Sequence, residues 1–474
     1  MTESGWAIGN ALGAALDSSD TIVAQATAPG RGALAIVRLS GSRAHEIARQ
    51  ALERFPTAPR TAILSTVRSA SGESLDQSIV IRYDAPASYT GENAAEIITH
   101  GGLVVPTTIV AAFVARGARV ARPGEFTRRA VLNGKLDILQ AEATGDLVDA
   151  SSRAAQQTAL RQLDGGLSRR VLALREQLIG LEALIAYDID FPDEDEGPVA
   201  PSRILKAADV VVHALEQLLA TAHAGELVRE GALVVLAGAP NVGKSSLFNA
   251  LLGESRAIVT EFPGTTRDAI EAVIDAPAVP LRLVDTAGLR EATDPVERLG
   301  VSVSESYVAR ATVVLACADS AESMATVAAA LREHTRAAVI AVRTKADLSS
   351  PTARELDAAI EQVGAVNALA VSAETGEGLD RLLVAITAAV ARREGSPDVD
   401  APVLTRERHR YAVARALEET RAFRERWCGV GGEVPAPVAA VHLREAVTTL
   451  EDLIGAVDVE DVLDEVFRRF CVGK

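Results

Sequence analysis

Cysteines, aromatic residues and uncharged apolar runs are all scarce in this sequence of 474 residues. The three cysteines, Cys317, Cys428 and Cys471, are too few and too scattered for a disulfide framework or a CxxC metal site, which favours a reducing compartment. No stretch approaches the roughly 18 uncharged apolar residues of a membrane helix, and the N-terminal segment lacks the basic region of a signal peptide. We therefore expect a cytoplasmic protein without membrane contact, with a flexible extension over residues 1–19.

Positive charge is also in deficit, because 48 lysines and arginines stand against 64 aspartates and glutamates, a net charge of −16. This balance argues against a protein that coats nucleic acid, since a broad footprint on phosphates needs an excess of Lys and Arg. The hydrophobic fraction of 48% excludes a disordered chain. At roughly 150 residues per domain, the length predicts about three domains.

The hydrophobic periodicity changes along the chain and predicts a multidomain architecture. Residues 20–133 alternate short β-branched runs with Gly and Pro, which indicates an α+β domain. Residues 134–230 are helical in pattern, whereas residues 231–394 alternate buried strands with helices, as in βαβ units on a parallel sheet. The strands predicted there are 233–237, 281–284, 313–316, 339–342 and 369–371. The helical pattern returns over residues 395–474. The economical arrangement is an all-α domain into which an α/β domain is inserted.

One apolar stripe in the first helical block is especially regular. Its members recur at alternating intervals of four and three, which places them on one face of a long helix that packs against other helices. They are Leu167, Val171, Leu174, Leu178, Leu181 and Ile185. The acidic segment at 188–197 then predicts a helix break at Pro192 and a solvated turn.

The α/β block contains a phosphate-binding loop. A strand over 233–237 runs into GAPNVGKSS at 238–246 and then an apolar helix, which is GxxxxGKS in the strand–loop–helix context that the motif requires. In such loops the backbone N–H groups face phosphate oxygens, so we expect Lys244 to neutralise phosphate charge and Ser245 to bind Mg²⁺. The nucleotide-binding residues predicted in this loop are Asn241, Val242, Gly243, Lys244, Ser245 and Ser246.

Three further motifs follow strands and together select a guanine nucleotide. The DTAG segment at 285–288 places a carboxylate near Mg²⁺ and a glycine near the γ-phosphate. In the TKAD segment at 344–347 the Asp347 carboxylate can accept from N1 and N2 of guanine, whereas adenine presents neither donor. Thr344 stands where Asn is usual. The predicted contacts are Asp285, Thr286, Ala287, Gly288, Thr344, Lys345, Ala346, Asp347, Ser372 and Ala373.

A Gly-flanked segment before DTAG is expected to order with the nucleotide. Its predicted nucleotide contacts are Thr260, Glu261, Phe262, Pro263, Gly264, Thr265 and Thr266. Thr266 is the candidate that completes the Mg²⁺ shell. Leu289 follows DTAG where a water-orienting glutamine would stand, so Glu297, about a dozen residues after Asp285, is the candidate that orients the attacking water. Lys244 and Glu297 are therefore the predicted catalytic residues.

Several sequence blocks match those of a known family. They are DTIVAQATAPGRGALAIVRLSG (20–41), PASYTGENAAEIITHGG (86–102), ARPGEFTRRAVLNGKLD (121–137), the GAPNVGKSS loop, PGTTRD (263–268), DTAGLREATDPVERLG (285–300) and FCVGK (470–474). In these blocks the chain closely resembles the MnmE, or TrmE, family of tRNA-modifying GTPases. The resemblance covers nearly the whole chain from Asp20 and implies an α+β folate-binding domain, an all-α domain and an inserted α/β P-loop GTPase domain.

The resemblance also implies ligands and site residues. The N-terminal domain would dimerise and bind 5-formyl- or 5,10-methylene-tetrahydrofolate, at positions that match Arg38, Glu96, Lys135 and Lys474 here. K⁺ would replace an arginine finger, at positions that match Asn241, Thr260, Phe262 and Thr265, and Glu297 matches the catalytic glutamate. The Phe262-Pro263 pair departs from the more usual Ile-Ala. Cys471 is either a reactive thiol or a packing residue.

The function that the resemblance implies is K⁺-dependent hydrolysis of GTP to GDP and phosphate. This hydrolysis would accompany formation of a 5-carboxymethylaminomethyl or 5-aminomethyl group on wobble uridine U34 of certain tRNAs. An FAD-dependent partner, MnmG or GidA, would perform the redox steps in a heterotetramer or larger complex. A ribosome-assembly GTPase that acts as an RNA-binding switch is the alternative, which predicts a KH-like GxxG or a basic RNA module. A membrane-tethered ion-transport GTPase is a second rival that the missing membrane helix argues against.

Overall fold

The computed structural model of the chain describes residues 20–190, 200–254, 270–276, 279–285, 306–331, 335–348, 351–394, 402–427, 436–455 and 473. The described residues fall into two compact units. The first unit comprises the chain up to Glu142 together with the chain from Gly455 onward, and the second unit comprises Ala143–Ile454. An α+β unit and a unit of helices with an α/β sheet match the predicted fold class.

A six-stranded sheet organises the first unit, in the order β3-β4-β5-β2-β1-β6. Neighbouring strands are antiparallel except for the parallel pair β1 and β6. The strands are β1 (Ile22–Gln25), β2 (Leu34–Ser40), β3 (Ala62–Arg68), β4 (Ser74–Tyr83), β5 (Ala94–His100) and β6 (Arg119–Val120). The helices are α1 (Ala44–Ala51), α2 (Val105–Val114) and α3 (Glu125–Leu132).

The two faces of this sheet differ in how they are covered. On one face the row Ile63, Val80, Ile97 and Val37 crosses four strands in register and packs in a core with residues of α1 and α2. On the other face, Phe126 of α3 covers only the β1 end. Because successive side chains of a strand point to opposite faces, the remainder of this second face lacks a helix layer among the described residues.

Four long helices form a bundle in the second unit. They are α6 (Gly166–Asp190), α7 (Pro201–Ala220), α13 (Glu407–Trp427) and α14 (Ala436–Ile454), and each contacts two of the others. All six residues of the predicted stripe are at most 1% exposed, so the expected amphipathic helix is confirmed. α6 is described as far as Asp190, and the predicted break at Pro192 lies outside the described residues.

Three shorter helices precede the α/β sheet in the chain, and the first of them crosses the boundary between the two units. They are α4 (Ile138–Asp149), α5 (Arg153–Leu163) and α8 (Ala222–Glu230). Asp146 Oδ1 accepts from Arg229 Nε, at the end of α8, at 3.1 Å and from Arg406, just before α13, at 2.7 Å. Gln162 Nε2 of α5 donates to the carbonyl of Val403 at 3.0 Å. The chain segments that enter and leave the α/β sheet are therefore held side by side.

The α/β sheet has the strand order β12-β11-β10-β7-β9-β8. Its strands are β7 (Ala232–Ala237), β8 (Ile270–Ile274), β9 (Leu281–Asp285), β10 (Val313–Ala318), β11 (Ala338–Arg343) and β12 (Asn367–Ala370). Its helices are α9 (Lys244–Glu254), α10 (Ala321–Leu331), α11 (Ala353–Val363) and α12 (Leu379–Glu394).

Five strands of this sheet are parallel, as predicted, but the edge strand β8 is antiparallel to β9. The five predicted strands form the expected parallel sheet, and β8, which was not among them, adds an antiparallel edge. The physical reason is the short connection over 275–280, because a parallel pair needs a crossover of a dozen or more residues. The parallel strands bring their carboxyl ends to one edge of the sheet, where ligands of open α/β sheets bind.

Candidate nucleotide site and N-terminal cavity

The phosphate loop follows the central strand β7 and leads into α9. At Gly238 the backbone passes so close to β10 that a Cβ would lie 2.3 Å from the Cys317 carbonyl oxygen, so only glycine fits. Lys244, 5% exposed, donates from Nζ to the carbonyls of Gly238 at 3.0 Å and Ala239 at 2.9 Å. The ammonium therefore lies across its own loop, whereas Ser245 is exposed on the first turn of α9.

Asp285 ends β9 beside this loop. It pairs in register with Leu236 of β7 and is 1% exposed. This is the position that a carboxylate near Mg²⁺ requires, next to the strand that carries the phosphate loop. The three residues that follow it in the motif, Thr286, Ala287 and Gly288, lie outside the described residues, as do Glu297 and all seven predicted contacts from Thr260 to Thr266.

A cavity of about 430 Å³ joins the phosphate loop to the predicted guanine motif. It is lined by Gly243, Ser246, Leu247, Thr344, Lys345, Asp347, Leu348, Val371, Ala373 and Glu374. Ser372 Oγ donates to Asp347 Oδ1 at 2.6 Å, which fixes this carboxylate at the cavity wall. The structure therefore brings together motifs that are about a hundred residues apart in sequence.

Sequence reasoning did not single out two of these lining residues. Leu348 is a large apolar side chain that is 78% exposed directly after the TKAD segment, and Glu374 follows Ala373. The signal in the sequence that could have identified them as lining residues is that each directly follows a predicted nucleotide contact. Leu348 offers an apolar surface on which a flat base could lie, because an exposed leucine beside a cavity can pack on a ligand.

Two consecutive residues of the TKAD segment donate hydrogen bonds to two consecutive carbonyls of the phosphate loop. Thr344 Oγ1, on a residue 5% exposed, donates to the carbonyl of Val242. Lys345 Nζ donates to the carbonyl of Asn241 at 2.8 Å and to Asp319 Oδ2 at 2.9 Å. The threonine that replaces the usual asparagine thus still connects the two loops.

Cys317 lies beneath the phosphate loop on β10. Burial raises the pKa of this thiol to about 12, and the nearby charge of Lys244 only partly opposes the effect. A thiol with this pKa is protonated at neutral pH and therefore a poor nucleophile. Cys317 is a packing residue of the sheet, and Cys428 and Cys471 lie outside the described residues.

Two of the predicted folate residues meet on neighbouring strands of the first unit. Arg38 on β2 stands opposite Glu96 on β5, and the guanidinium lies 2.8 Å from the carboxylate, with the side chains 22% and 20% exposed. Tyr83 donates from its hydroxyl to Glu96 Oε2 at 3.0 Å. The guanidinium also lies over the rings of Tyr89 and Phe126, at 5.4 and 5.7 Å from the centroids. Strand pairing and aromatic rings hold both charges in place.

Two adjoining cavities connect this pair to the third predicted folate residue. The smaller, of about 170 Å³, is lined by Arg38, Ser40, Tyr83, Ser88, Tyr89, Thr90, Ala94 and Glu96. The larger, of about 410 Å³, is lined by Arg60, Ile81, Tyr83, Ala87, Ser88, Tyr89 and Lys135. Tyr83, Ser88 and Tyr89 line both. Sequence reasoning had not assigned these three residues, although Ser88 and Tyr89 lie in the quoted 86–102 block.

The C-terminal motif approaches the same unit at one described residue. At Gly473, where φ is +103°, a Cβ would lie 2.2 Å from the carbonyl oxygen of Gln25, at the end of β1. Only glycine fits such a close approach between two backbones. Lys474, the fourth predicted folate residue, lies outside the described residues.

A charged network supports the wall of the smaller cavity. Arg129 of α3, 4% exposed, donates to Glu92 at 3.2 Å, to Glu125 at 3.0 Å and to Asp20. Glu92 in turn accepts from Ser40 Oγ at 2.7 Å. Burial by itself would raise the pKa of Glu125, but hydrogen bonds from Arg119 and Arg129 and the backbone outweigh it and lower that pKa.

A phosphate loop after β7, a carboxylate at the end of β9 and a TKAD segment on the shared cavity define a P-loop GTPase. The family comparisons identify it further. Residues 21–135 match the family model for the N-terminus of the GTP-binding protein TrmE, and residues 138–471 match the model for the MnmE helical domain.

Curated relatives match along nearly their full length. The tRNA modification GTPase MnmE of Azoarcus sp. (strain BH72) is 43% identical over 96% of this chain and 98% of its own. The tRNA modification GTPase MnmE of Neisseria meningitidis serogroup B is 40% identical over 97% of this chain and 100% of its own. That of Aquifex aeolicus is 39% identical over 96% of this chain and 100% of its own. Among solved structures, the G domain of the T. maritima FeoB iron transporter is 29% identical over 33% of this chain and 98% of its own, with a TM-score of 0.27. The chain belongs to the MnmE family of tRNA modification GTPases.

Family membership makes the chain a GTP hydrolase that acts in tRNA modification. The relatives carry that function in their names, which favours it over the ribosome-assembly alternative. Within the parts of the chain that the structure describes, no helix is long and apolar enough to cross a membrane.

Proposed function

We propose that the cavity between the phosphate loop and the TKAD segment binds GTP, with Asp347 as the residue that selects guanine. The observation that carries this proposal is the convergence of Gly243, Lys345, Asp347 and Ala373 on one cavity. Lys244 would neutralise the β- and γ-phosphates, and Ser245 and Thr266 would hold Mg²⁺, with Asp285 supporting its shell. Nucleotide titration of Lys244→Ala tests this assignment, because that variant should lose triphosphate binding far more than nucleoside binding.

K⁺ is the proposed substitute for an arginine finger. Asn241 is exposed on the phosphate loop, and Lys345 holds its carbonyl; its side chain would serve as a ligand together with Thr260, Phe262 and Thr265. A bound monovalent cation would offset charge that develops on the phosphates, and Glu297 would orient the attacking water. GTPase rates in K⁺ and in Na⁺ at equal ionic strength test the cation, and Glu297→Ala tests the water-orienting role.

Folate is the proposed ligand of the N-terminal cavities. Arg38 and Lys135 supply positive charge that can pair with the glutamate carboxylates of tetrahydrofolate, and Glu96 can accept from an amino-pyrimidine edge. Tyr83 and Tyr89 offer rings for the pterin. Isothermal titration with 5-formyl-tetrahydrofolate should show at least tenfold weaker binding in Arg38→Ala, because a charge-assisted contact is worth about 1.5–3 kcal/mol. Arg68→Ala, an exposed arginine on β3, is the matched control.

The uncovered face of the N-terminal sheet is the proposed dimer interface. Leu64, Ile79, Ile98 and Ile36 stand opposite one another across β3, β4, β5 and β2, and Leu64 and Ile79 are 60% and 40% exposed. An apolar row on a sheet face without a helix layer fits a second copy of the same chain. Sedimentation should show a monomer for Ile79→Lys and a dimer for Leu103→Lys, which alters an exposed leucine outside the row.

We propose further that the chain works with the FAD-dependent MnmG to build the 5-carboxymethylaminomethyl or 5-aminomethyl group on U34. Folate would supply the one-carbon unit, and the partner would carry the redox chemistry. The net charge of −16 supports a division in which much of the tRNA contact falls on the partner or a joint surface. Mass spectrometry of the wobble uridine in a deletion strain, with and without this gene, tests the modification itself.

A further inference from the structure

The ammonium of Lys345 lies between the phosphate loop and a carboxylate that belongs to neither nucleotide motif. It is 2.8 Å from the carbonyl oxygen of Asn241 and 2.9 Å from Asp319 Oδ2. Both Asn241 and Lys345 have left-handed backbones, with φ of +62° and +56°. Such conformations are uncommon for residues other than glycine and persist only where their surroundings hold them. The Lys345 bond is one such restraint on Asn241.

Asp319 is itself held by the start of α10. It follows β10 directly, and its Oδ1 accepts from Ser323 Oγ at 3.2 Å while its backbone N–H donates to the same hydroxyl oxygen at 3.1 Å. The rigid parallel strand β10 pairs with both β7 and β11, which carry the two loops. Asp319 is therefore an anchor on the sheet for the lysine that connects these loops.

We propose that Asp319 is a positioning residue for GTP hydrolysis, which acts through Lys345 to fix the backbone of Asn241. Asp319 reaches the phosphate loop through Lys345, and the proposal assigns it no contact with the nucleotide. This inference rests on the proposed role of Asn241 as a K⁺ ligand. An ion requires its ligands at defined distances. A less restrained Asn241 backbone therefore lowers the affinity for K⁺ more than it lowers the affinity for the nucleotide base.

The expected effect is modest because the ion pair is partly exposed, with Asp319 at 33% and Lys345 at 39%. Ion pairs of this kind correspond to at most about a fivefold change in an equilibrium constant. In the full-length protein, Asp319→Ala should therefore raise the K⁺ concentration for half-maximal GTPase activity by about three- to fivefold. The GDP dissociation constant should change by less than about twofold.

Two variants separate positioning from general destabilisation. Asp319→Asn retains an oxygen that can accept from Lys345 and should restore part of the K⁺ response. Glu322→Gln makes the same change of charge on the exposed first turn of α10 and should match the wild type. Thermal unfolding of all variants monitors the fold. If K⁺ stimulates the wild-type protein, the proposal is overturned when Asp319→Ala keeps the wild-type K⁺ response, or when GDP affinity falls as much as the K⁺ response does.

A double-mutant cycle separates this inference from the K⁺ proposal. If the wild-type protein shows no K⁺ stimulation, the proposed cation role of Asn241 fails, and kcat at saturating GTP becomes the readout. Asp319→Ala should then lower kcat in the wild-type background and have no further effect in Lys345→Met, since it acts through that lysine. Additive effects of the two substitutions would refute a role through Lys345.

Discussion

Replacing Asp347 with asparagine should change the base preference of the GTPase from guanine to xanthine. The carboxylate lines the nucleotide cavity, and Ser372 fixes one of its oxygens at 2.6 Å. Guanine presents two donors, N1 and N2, to an acceptor-only carboxylate, whereas xanthine carries a carbonyl oxygen at position 2. An asparagine can accept from N1 and donate to that oxygen, so the hydrogen bonds match xanthine and not guanine.

The magnitude follows from two hydrogen bonds to a charged acceptor. Each is worth about 1.5–3 kcal/mol. Because asparagine still accepts from N1 and loses the bond to N2, the substitution predicts a loss of about 1.5–3 kcal/mol, or roughly tenfold to 150-fold weaker GDP binding. Equilibrium titration with fluorescent GDP and XDP measures both affinities. Asp357→Asn, on the exposed side of α11, makes the same charge change away from the cavity and should leave both affinities unaltered. GDP affinity within threefold of wild type in Asp347→Asn would refute the assignment of Asp347 to the base.

Four further outcomes can be measured on the same protein. Leu178→Ala, in the buried stripe of α6, should lower the free energy of unfolding by about 3–5 kcal/mol, whereas Leu172→Ala, 41% exposed on the same helix, should change it little in urea titrations. Arg129→Met should destabilise the first unit by about 3 kcal/mol, read from hydrogen exchange of that unit, because it removes the arginine that pairs with Glu92 and one of the two that pair with buried Glu125. Since the pKa of Glu125 is lowered from 4.5, its stabilising contribution is fully present above about pH 4.5 and is lost as the pH falls through the lowered pKa, which acid titration of the same exchange rates detects. Cys317 should resist alkylation at pH 8 in the folded protein and react after denaturation, as peptide mass spectrometry would show.

Local motifs were readable from the sequence because their function depends on neighbouring residues. The phosphate loop needs a strand, glycines and a helix start within about a dozen residues, and all of these occur between Ala232 and Lys244. The stripe of α6 was predictable for the same reason, since helical periodicity repeats over short intervals. The family resemblance rests on blocks of this local kind.

Sheet pairing was less predictable than the motifs. The antiparallel edge strand β8 did not appear among the predicted strands, because Glu271 interrupts its apolar run and a five-residue segment gives few periods to recognise. The predicted strand at 369–371 is observed as Asn367–Ala370, a shift of the kind that strand ends commonly show.

The sequence by itself determined the succession of helical and α/β segments, the phosphate loop and the guanine motif, because each is encoded within one continuous stretch. Only the tertiary structure decided that Arg38 faces Glu96 across 58 residues, that Ser372 fixes Asp347, and that Lys345 reaches Asp319. These contacts depend on strand register and on which strands become neighbours. Register is a property of the whole sheet, so a charge that looks like an ordinary surface residue in the sequence becomes part of a site only after folding.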